Sequence, residues 1–294
     1  MKKILLIVLL LAGCGVSRLL AQVTLQVVSK NVEKTVPWKP GMELIVNGEK
    51  ADVTVVPTDS AAISVSAELS AKHPSLDTAQ TDLNTWQLVV NTVGKRIYIR
   101  TYVGVQAGKR APVSNMRAQI KIKVPRPCAV NLSNRFGKAR LEHLDGPVAL
   151  SGYFCRFDLF ALNGELQVES EHGSVEGKEL NGTVDIKGKR ADVTLQHTAG
   201  NCSLQTEYGS IHFFTDQQSG NVRIAAQMTD ITLSGLEANS HNYRLKTRYG
   251  NLDVPDKFDK SGSTDKERTA IYQVKPDSLS IEVETSFGHI KVEK

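Results

Sequence analysis

The sequence predicts an all-β fold: a single-stranded parallel β-helix, or β-solenoid, with rungs of about 18 residues. Three observations predict it. One apolar phrase returns every 18 residues, as Val130-Asn131-Leu132, Val148-Ala149-Leu150, Leu166-Gln167-Val168, Val184-Asp185-Ile186 and Cys202-Ser203-Leu204. Within each unit, apolar residues alternate with polar ones. Counting Val130 as offset 0, they fall at offsets 0, 2, 9, 11 and 14: Val130, Leu132, Ala139, Leu141 and Leu144, then Val148, Leu150, Phe157, Leu159 and Leu162. A period of two means strands with one inward face. Glycine, finally, recurs at two fixed places. Offset 16 holds Gly146, Gly164, Gly182 and Gly200, and Gly220 follows after a two-residue slip. Offset 7 holds Gly137, Gly173, Gly209, Gly250 and Gly288, with Cys155, Ala191 and Thr229 in the units between. Each glycine is expected to mark a bend at positive φ, where a Cβ would clash.

A lone unit buries too few side chains to offset the entropy of ordering its backbone, so the units must stack. Parallel crossovers are overwhelmingly right-handed, and a right-handed coil is expected. The residues before offset 7, Phe136, Phe154, His172, Arg190, Tyr208, Met228, Tyr249 and Phe287, would then form a ladder along one edge. A terminal rung would leave an unpaired edge, so a cap or a dimer contact is expected there.

From the N-terminus, Lys2 and Lys3 precede an apolar run from Ile4 to Ala12, too short to span a membrane, which marks an export signal over residues 1–21. Two cuts are open. Leu11-Ala12-Gly13-Cys14 resembles a lipobox, with cleavage after residue 13 and lipidation of Cys14; the alternative is cleavage before Gln22. Residues 23–116 form a β-rich N-terminal part, with half-unit phrases Leu44-x-Val46, Val53-x-Val55, Ile63-x-Val65, Leu88-x-Val90 and Ile97-x-Ile99. Leu76, Ala79, Leu83 and Trp86 fall at helical spacing and predict one short helix over 75–86. Regular repeats occupy residues 117–294, entered through Ile120, Ile122 and Val124 before Pro125. A polar loop over 255–278 interrupts them before the last unit at Ile281-x-Val283 and Ile290-x-Val292.

The formal charge of +5 falls to +2 when Lys2, Lys3 and Arg18 leave with the later cut, which gives no support to nucleic-acid binding. Beyond the signal, Cys128, Cys155 and Cys202 are odd in number and match no zinc-ligand spacing, so they read as packed small side chains. His172 reads as a ladder member, and His197, His212 and His289 fall at different offsets. No metal or cofactor is expected. Ser151 and Ser170, with Asp158 or His172 nearby, fit strand positions better than a nucleophile motif. Asp158, Glu176, Asp192 and Asp230 share one outer wall, as a polysaccharide lyase or hydrolase would need, but cations interleave them and a solvated mixed-charge face is favoured. Trp38 and Trp86 are expected to cap the stack rather than bind sugars.

Ala51-Asp52-Val53-Thr54-Val55, Ile120-Lys121-Ile122-Lys123-Val124-Pro125, Thr206-Glu207-Tyr208-Gly209-Ser210-Ile211 and Thr247-Arg248-Tyr249-Gly250-Asn251-Leu252 together resemble the adhesin-like β-solenoids, similar to auto-transporter-adhesin heads, of Gram-negative envelopes. The resemblance runs from about residue 24 to 292. It implies an exported, non-catalytic solenoid of unknown function, with no functional residues to carry over. The expected role is an adhesin-like interaction or scaffold protein, in the periplasm, on the outer membrane or at the cell surface, with an envelope protein or glycan as partner. A lyase or hydrolase and an accessory of envelope-stress, anti-sigma signalling are the alternatives.

Overall fold

The computed structural model describes residues 24–104, 108, 110–235 and 241–293. The expected export signal over residues 1–21 and Cys14 lie outside the described residues. Among these residues the chain is all-β, with nineteen strands and one helix. The N-terminal elements are β1 (Gln26–Pro37), β2 (Glu43–Glu49), β3 (Ala51–Thr58), β4 (Ala62–His73), α1 (Leu76–Thr85), β5 (Trp86–Val93), β6 (Arg96–Val103) and β7 (Asn115–Pro125). The central ones are β8 (Ala129–Glu142), β9 (Val148–Leu162), β10 (Leu166–Glu171), β11 (Ser174–Asn181), β12 (Val184–Lys189), β13 (Asp192–Phe214) and β14 (Ser219–Ser234). Then come β15 (His241–Arg248), β16 (Leu252–Asp253), β17 (Glu267–Tyr272), β18 (Leu279–Ser286) and β19 (Ile290–Val292).

The 18-residue phase is a hydrogen-bonding register. Val130 lies beside Val148, Val148 beside Leu166, Leu166 beside Val184 and Val184 beside Cys202, all in parallel. The second halves of the units keep the same step, with Ala139 beside Phe157, Phe157 beside Val175 and Val175 beside Val193. Each unit thus feeds two walls. Because β9 and β13 bend and run through both, the strands β9, β10, β12, β13 and β11 close a ring of pairings. The alternating residues Val130, Leu132, Ala139, Leu141, Leu144, Val148, Leu150, Phe157, Leu159 and Leu162 all turn inward and are 3% exposed or less.

The two ends depart from a single-stranded parallel coil. At the N-terminal end β1, β4 and β7 pair antiparallel, as do β5 and β6, while β2 and β3 pair in parallel with β6 and β7 on one side and with β8 on the other. For β5 and β6 a short connection explains this: they are joined by Gly94 and Lys95 alone, and a two-residue link permits only a hairpin. At the C-terminal end the rungs are out of chain order. β18 and β19 insert between β14 and the pair β15 and β16, so that Ile281 pairs with both Val222 and Tyr243. The expected loop over 255–278 is also not all loop. It contains β17, antiparallel to β15, and it buries Phe258 against Tyr243 and Tyr272, with ring centroids 5.8 and 5.4 Å apart. This segment covers the last rung, where an open parallel edge would otherwise invite another chain.

Helix α1 starts where expected. Ser75 caps it by accepting from the Thr78 N–H at 3.3 Å. Ala79 and Leu83 are buried and Trp86 opens β5 at 3% exposure, whereas Leu76 remains outside. Asp82 is buried near the helix end. Its Oδ2 accepts from the Ser114 hydroxyl at 2.6 Å and from the Ser114 and Val113 N–H groups at 2.8 and 3.0 Å. Burial alone would raise its pKa, but these hydrogen bonds outweigh burial and hold it below the ordinary carboxylate value. A depressed folded pKa contributes stability that is complete above the unfolded carboxylate's pKa of about 4 and is lost as pH falls through the folded value. Asp82→Asn is therefore expected to cost roughly 2 kcal/mol at pH 7 and to lose most of that difference near pH 2, as read by urea denaturation at both pH values.

Candidate functional site

The most regular outward feature is the edge where the two walls meet. Phe136, Phe154, His172, Arg190, Tyr208, Met228, Tyr249 and Phe287 all take left-handed backbone, with φ between 47° and 60°. This corrects the expected bends. At Gly137, Gly146, Gly164, Gly173, Gly209, Gly250 and Gly288 the φ is not positive; it is so only at Gly182 and Gly200. The offset-7 glycines serve close approach instead. A Cβ on Gly137 would lie 2.0 Å from the Ala51 carbonyl oxygen, on Gly173 2.0 Å from that of Cys155, and on Gly209 2.1 Å from that of Ala191. The offset-16 glycines face the same constraint, with Gly164 against the Gly146 carbonyl oxygen at 2.5 Å.

A second column explains why offset 7 alternates. Offset 4 holds Asn134, Ser170, Thr206, Thr247 and Thr285 where offset 7 is glycine, and Gly152, Gly188 and Ala226 where offset 7 is Cys155, Ala191 and Thr229. The two positions share the inside of the bend. A Cβ on Gly188 would meet the Thr206 methyl at 3.2 Å and the Ala191 Cβ at 3.5 Å, and one on Gly48 would meet Asn134 Oδ1 at 2.5 Å. Each bend therefore admits at most one side chain larger than a methyl, from either flank. The antiphase of the two columns is visible in the sequence.

With the bend filled inside, the left-handed residues point out and stack. Phe136 and Phe154 lie 5.6 Å apart at 10°, Phe154 and His172 4.7 Å apart at 7°, and Tyr249 and Phe287 5.1 Å apart at 14°. Arg190 places its guanidinium 5.7 Å from the Tyr208 ring centroid and an Nη1 3.4 Å from His172 Nε2. His172 is thus a ladder member. The ring edges face solvent: Phe154 is 47% exposed, Phe287 55% and Tyr249 59%.

The walls on either side are flat. One carries a shallow groove of about 480 Å³ lined in part by Ser133, Ser151, Tyr153, Glu169, Lys187 and Lys189, and the other a depression of about 330 Å³ around Arg140, Asp158, Glu176 and Thr194. The acids of the second wall are engaged by neighbours. Arg156 binds Asp158 at 2.6 Å and Glu176 at 2.8 Å, and the bond to Asp158 chiefly raises the arginine's pKa. Asp192 accepts from the Ser210 hydroxyl at 2.6 Å and Asp230 from the His289 N–H at 2.9 Å. Ser151 stands on the exposed wall, while Ser170 is buried with an unpaired hydroxyl. The other histidines are dispersed: His197 contacts Asp216, His212 contacts Ser234, and His289 accepts from the Asn251 N–H. Among the described residues no group of three or more His, Cys, Asp or Glu side chains could hold a metal ion. Trp38 is half-buried and donates to the Met42 carbonyl, and Trp86 is buried, so both pack at the N-terminal end.

Cys128, Cys155 and Cys202 are buried free thiols. Burial pushes Cys128 up to about 11 and Cys202 up to about 12, and raises Cys155 as well. They are expected to resist iodoacetamide for hours at pH 8 in the native protein and to react within minutes in 6 M guanidinium, as read by intact mass.

Fold and surface define a β-repeat protein whose outward features are two polar walls and a ladder of side chains. The chain belongs to the Toastrack DUF4097 family, whose model matches residues 42–293. No curated protein matches it. Among solved structures it is similar to a candidate adhesin from Parabacteroides merdae, at 10% identity over 92% of this chain and 97% of that one, with a TM-score of 0.48. It is also similar to a candidate adhesin from Bacteroides fragilis, at 11% identity over 90% and 96%, TM-score 0.42. A third, described as a candidate lipid-binding protein from Parabacteroides distasonis, has 10% identity over 90% and 97%, TM-score 0.39.

Proposed function

We infer that this chain is a non-catalytic, adhesin-like interaction or scaffold protein of the cell envelope. In this reading the two walls are turns of a right-handed β-solenoid, exported through the N-terminal signal and tethered by lipid at Cys14 or released before Gln22. The walls are the docking faces for an envelope protein or glycan. One observation carries the reading. The outward side chains lie in register over successive rungs, and the acids that hydrolase or lyase chemistry would need are each occupied by a neighbouring donor.

The test is to pass the purified protein over immobilised pectin, alginate and glycosaminoglycan, with and without calcium, and over solubilised envelope proteins. Retention without release of oligosaccharide is expected. Reproducible release of sugar, with or without calcium, would overturn the reading in favour of an enzyme. Intact mass of the mature protein decides the anchor: a diacylated Cys14 supports the tether, and an unmodified Gln22 terminus removes it.

A further inference from the structure

The ladder has an internal order that the walls do not share. By strand pairing, its rungs run Phe136, Phe154, His172, Arg190, Tyr208, Met228, Phe287, Tyr249, with the last two reversed relative to the chain because β18 lies between β14 and β15. Eight rungs at about 4.8 Å make a seam roughly 34 Å long. The ring faces are consumed by stacking within the ladder, so the seam offers apolar edges rather than the open faces on which a sugar would sit.

The geometry points to a second copy of this chain as the occupant of the seam, docked antiparallel about a two-fold axis midway between the Arg190 and Tyr208 rungs. Two arguments on the surface support it. A partner must repeat its side chains at the rung spacing to cover every step, and another copy does so by construction. The order of the ladder is also self-complementary about that midpoint. Phe136 meets Tyr249, Phe154 meets Phe287, His172 meets Met228, and each Arg190 meets a Tyr208 ring, repeating across the interface the cation–π contact it makes within the chain at 5.7 Å.

The flanking columns agree. On one side Lys189 faces Glu207, Glu171 faces Gln227 and Tyr153 faces Ser286; on the other Asp192 faces Ser210, Ser174 faces Asp230, Arg156 faces His289 and Lys138 faces Asn251. Like charges oppose only at Arg135 and Arg248, and Arg248 is already bound by Glu267 at 3.0 Å. A two-fold along the stack would instead set Arg190 on Arg190 and Arg135 against Lys138. Moving the antiparallel axis onto the Arg190 rung would set Arg190 on Arg190 and Glu171 on Glu207. The seam is narrow, below the area of standard stable interfaces, so a dissociation constant in the range of about 10–100 μM is expected.

The experiment is sedimentation equilibrium of the purified protein from about 2 to 300 μM. A monomer–dimer equilibrium is expected, weakened at least tenfold in Phe154→Ser/Phe287→Ser. That variant should melt within a few degrees of the parent because both side chains are about half exposed. For register, Phe154→Cys and Phe287→Cys proteins are mixed and oxidised with copper phenanthroline; the native thiols are buried and do not compete. The mixed disulfide is expected to dominate. A monomer throughout, a dimer indifferent to the double serine variant, or self-linked products in excess of the mixed one would each overturn the docking. None of these results bears on whether the walls bind a partner.

Discussion

Gly209→Val is expected to cost about 4 kcal/mol, among the largest effects a single change produces in this chain. The reason is a neighbouring rung. A Cβ at Gly209 would stand 2.1 Å from the Ala191 carbonyl oxygen and 2.9 Å from its carbon, and the backbone on either side of Ala191 is pinned, Arg190 N–H to the Glu207 carbonyl at 2.7 Å and Asp192 N–H to the Gly173 carbonyl at 3.1 Å. The two rungs would have to part locally, breaking parallel hydrogen bonds on both sides of the bend. For a chain of this size the melting temperature should fall by roughly 10 °C. Tyr208→Gly is the control. If left-handed backbone were the only demand of the bend, glycine at the residue that adopts it, φ 57°, would relieve strain, offset by a looser unfolded chain; a change within about 1 kcal/mol is expected. Calorimetry of the two variants separates close approach from backbone conformation as the reason for the glycine.

The second large effect is at Phe157. Its ring is fully buried and occupies the space that glycine leaves at position 152, where a Cβ would come within 2.5 Å of the ring. Phe157→Ala is expected to cost about 4 kcal/mol through lost burial and the remaining cavity. Gly152→Ala should cost about 2 kcal/mol by overpacking. The two residues are coupled, so Gly152→Ala introduced into Phe157→Leu should cost at least 1 kcal/mol less than in the parent. Guanidinium unfolding of the four proteins gives the cycle, and strict additivity would show that the ring and the glycine do not share this space.

Much of the fold was legible. The inward residues, the register of 18, the helix after Ser75 and the outward column from Phe136 to Phe287 followed from period-two alternation and fixed offsets, which the ladder of hydrogen bonds enforces. Other features were not legible, for physical reasons. Alternation by two is the same in parallel and antiparallel strands, so Ile63-x-Val65 and Leu88-x-Val90 read as rungs when they belong to antiparallel pairs. Rungs carry the same apolar offsets, so nothing in Ile281-x-Val283 states that its neighbours are Val222 and Tyr243 together. Gly209 signalled a missing Cβ, but the atom that forbids it belongs to Ala191, and single-chain spacing assigns the cause to φ by default. The wall acids show the limit for function: Asp158 and Glu176 share a wall in the sequence, yet only the structure places Arg156 between them.

In the proposed reading, function resides in flat, regularly spaced faces. The most direct measurement is co-purification from native membranes of the wild-type protein beside a wall variant, Glu169→Lys/Lys187→Glu, which alters the grooved face and leaves the buried offsets and the ladder untouched. A defined envelope protein or glycan is expected to be retained by the wild type and at least tenfold less by the variant, with melting temperatures within a few degrees of each other. Equal retention by both proteins would contradict it.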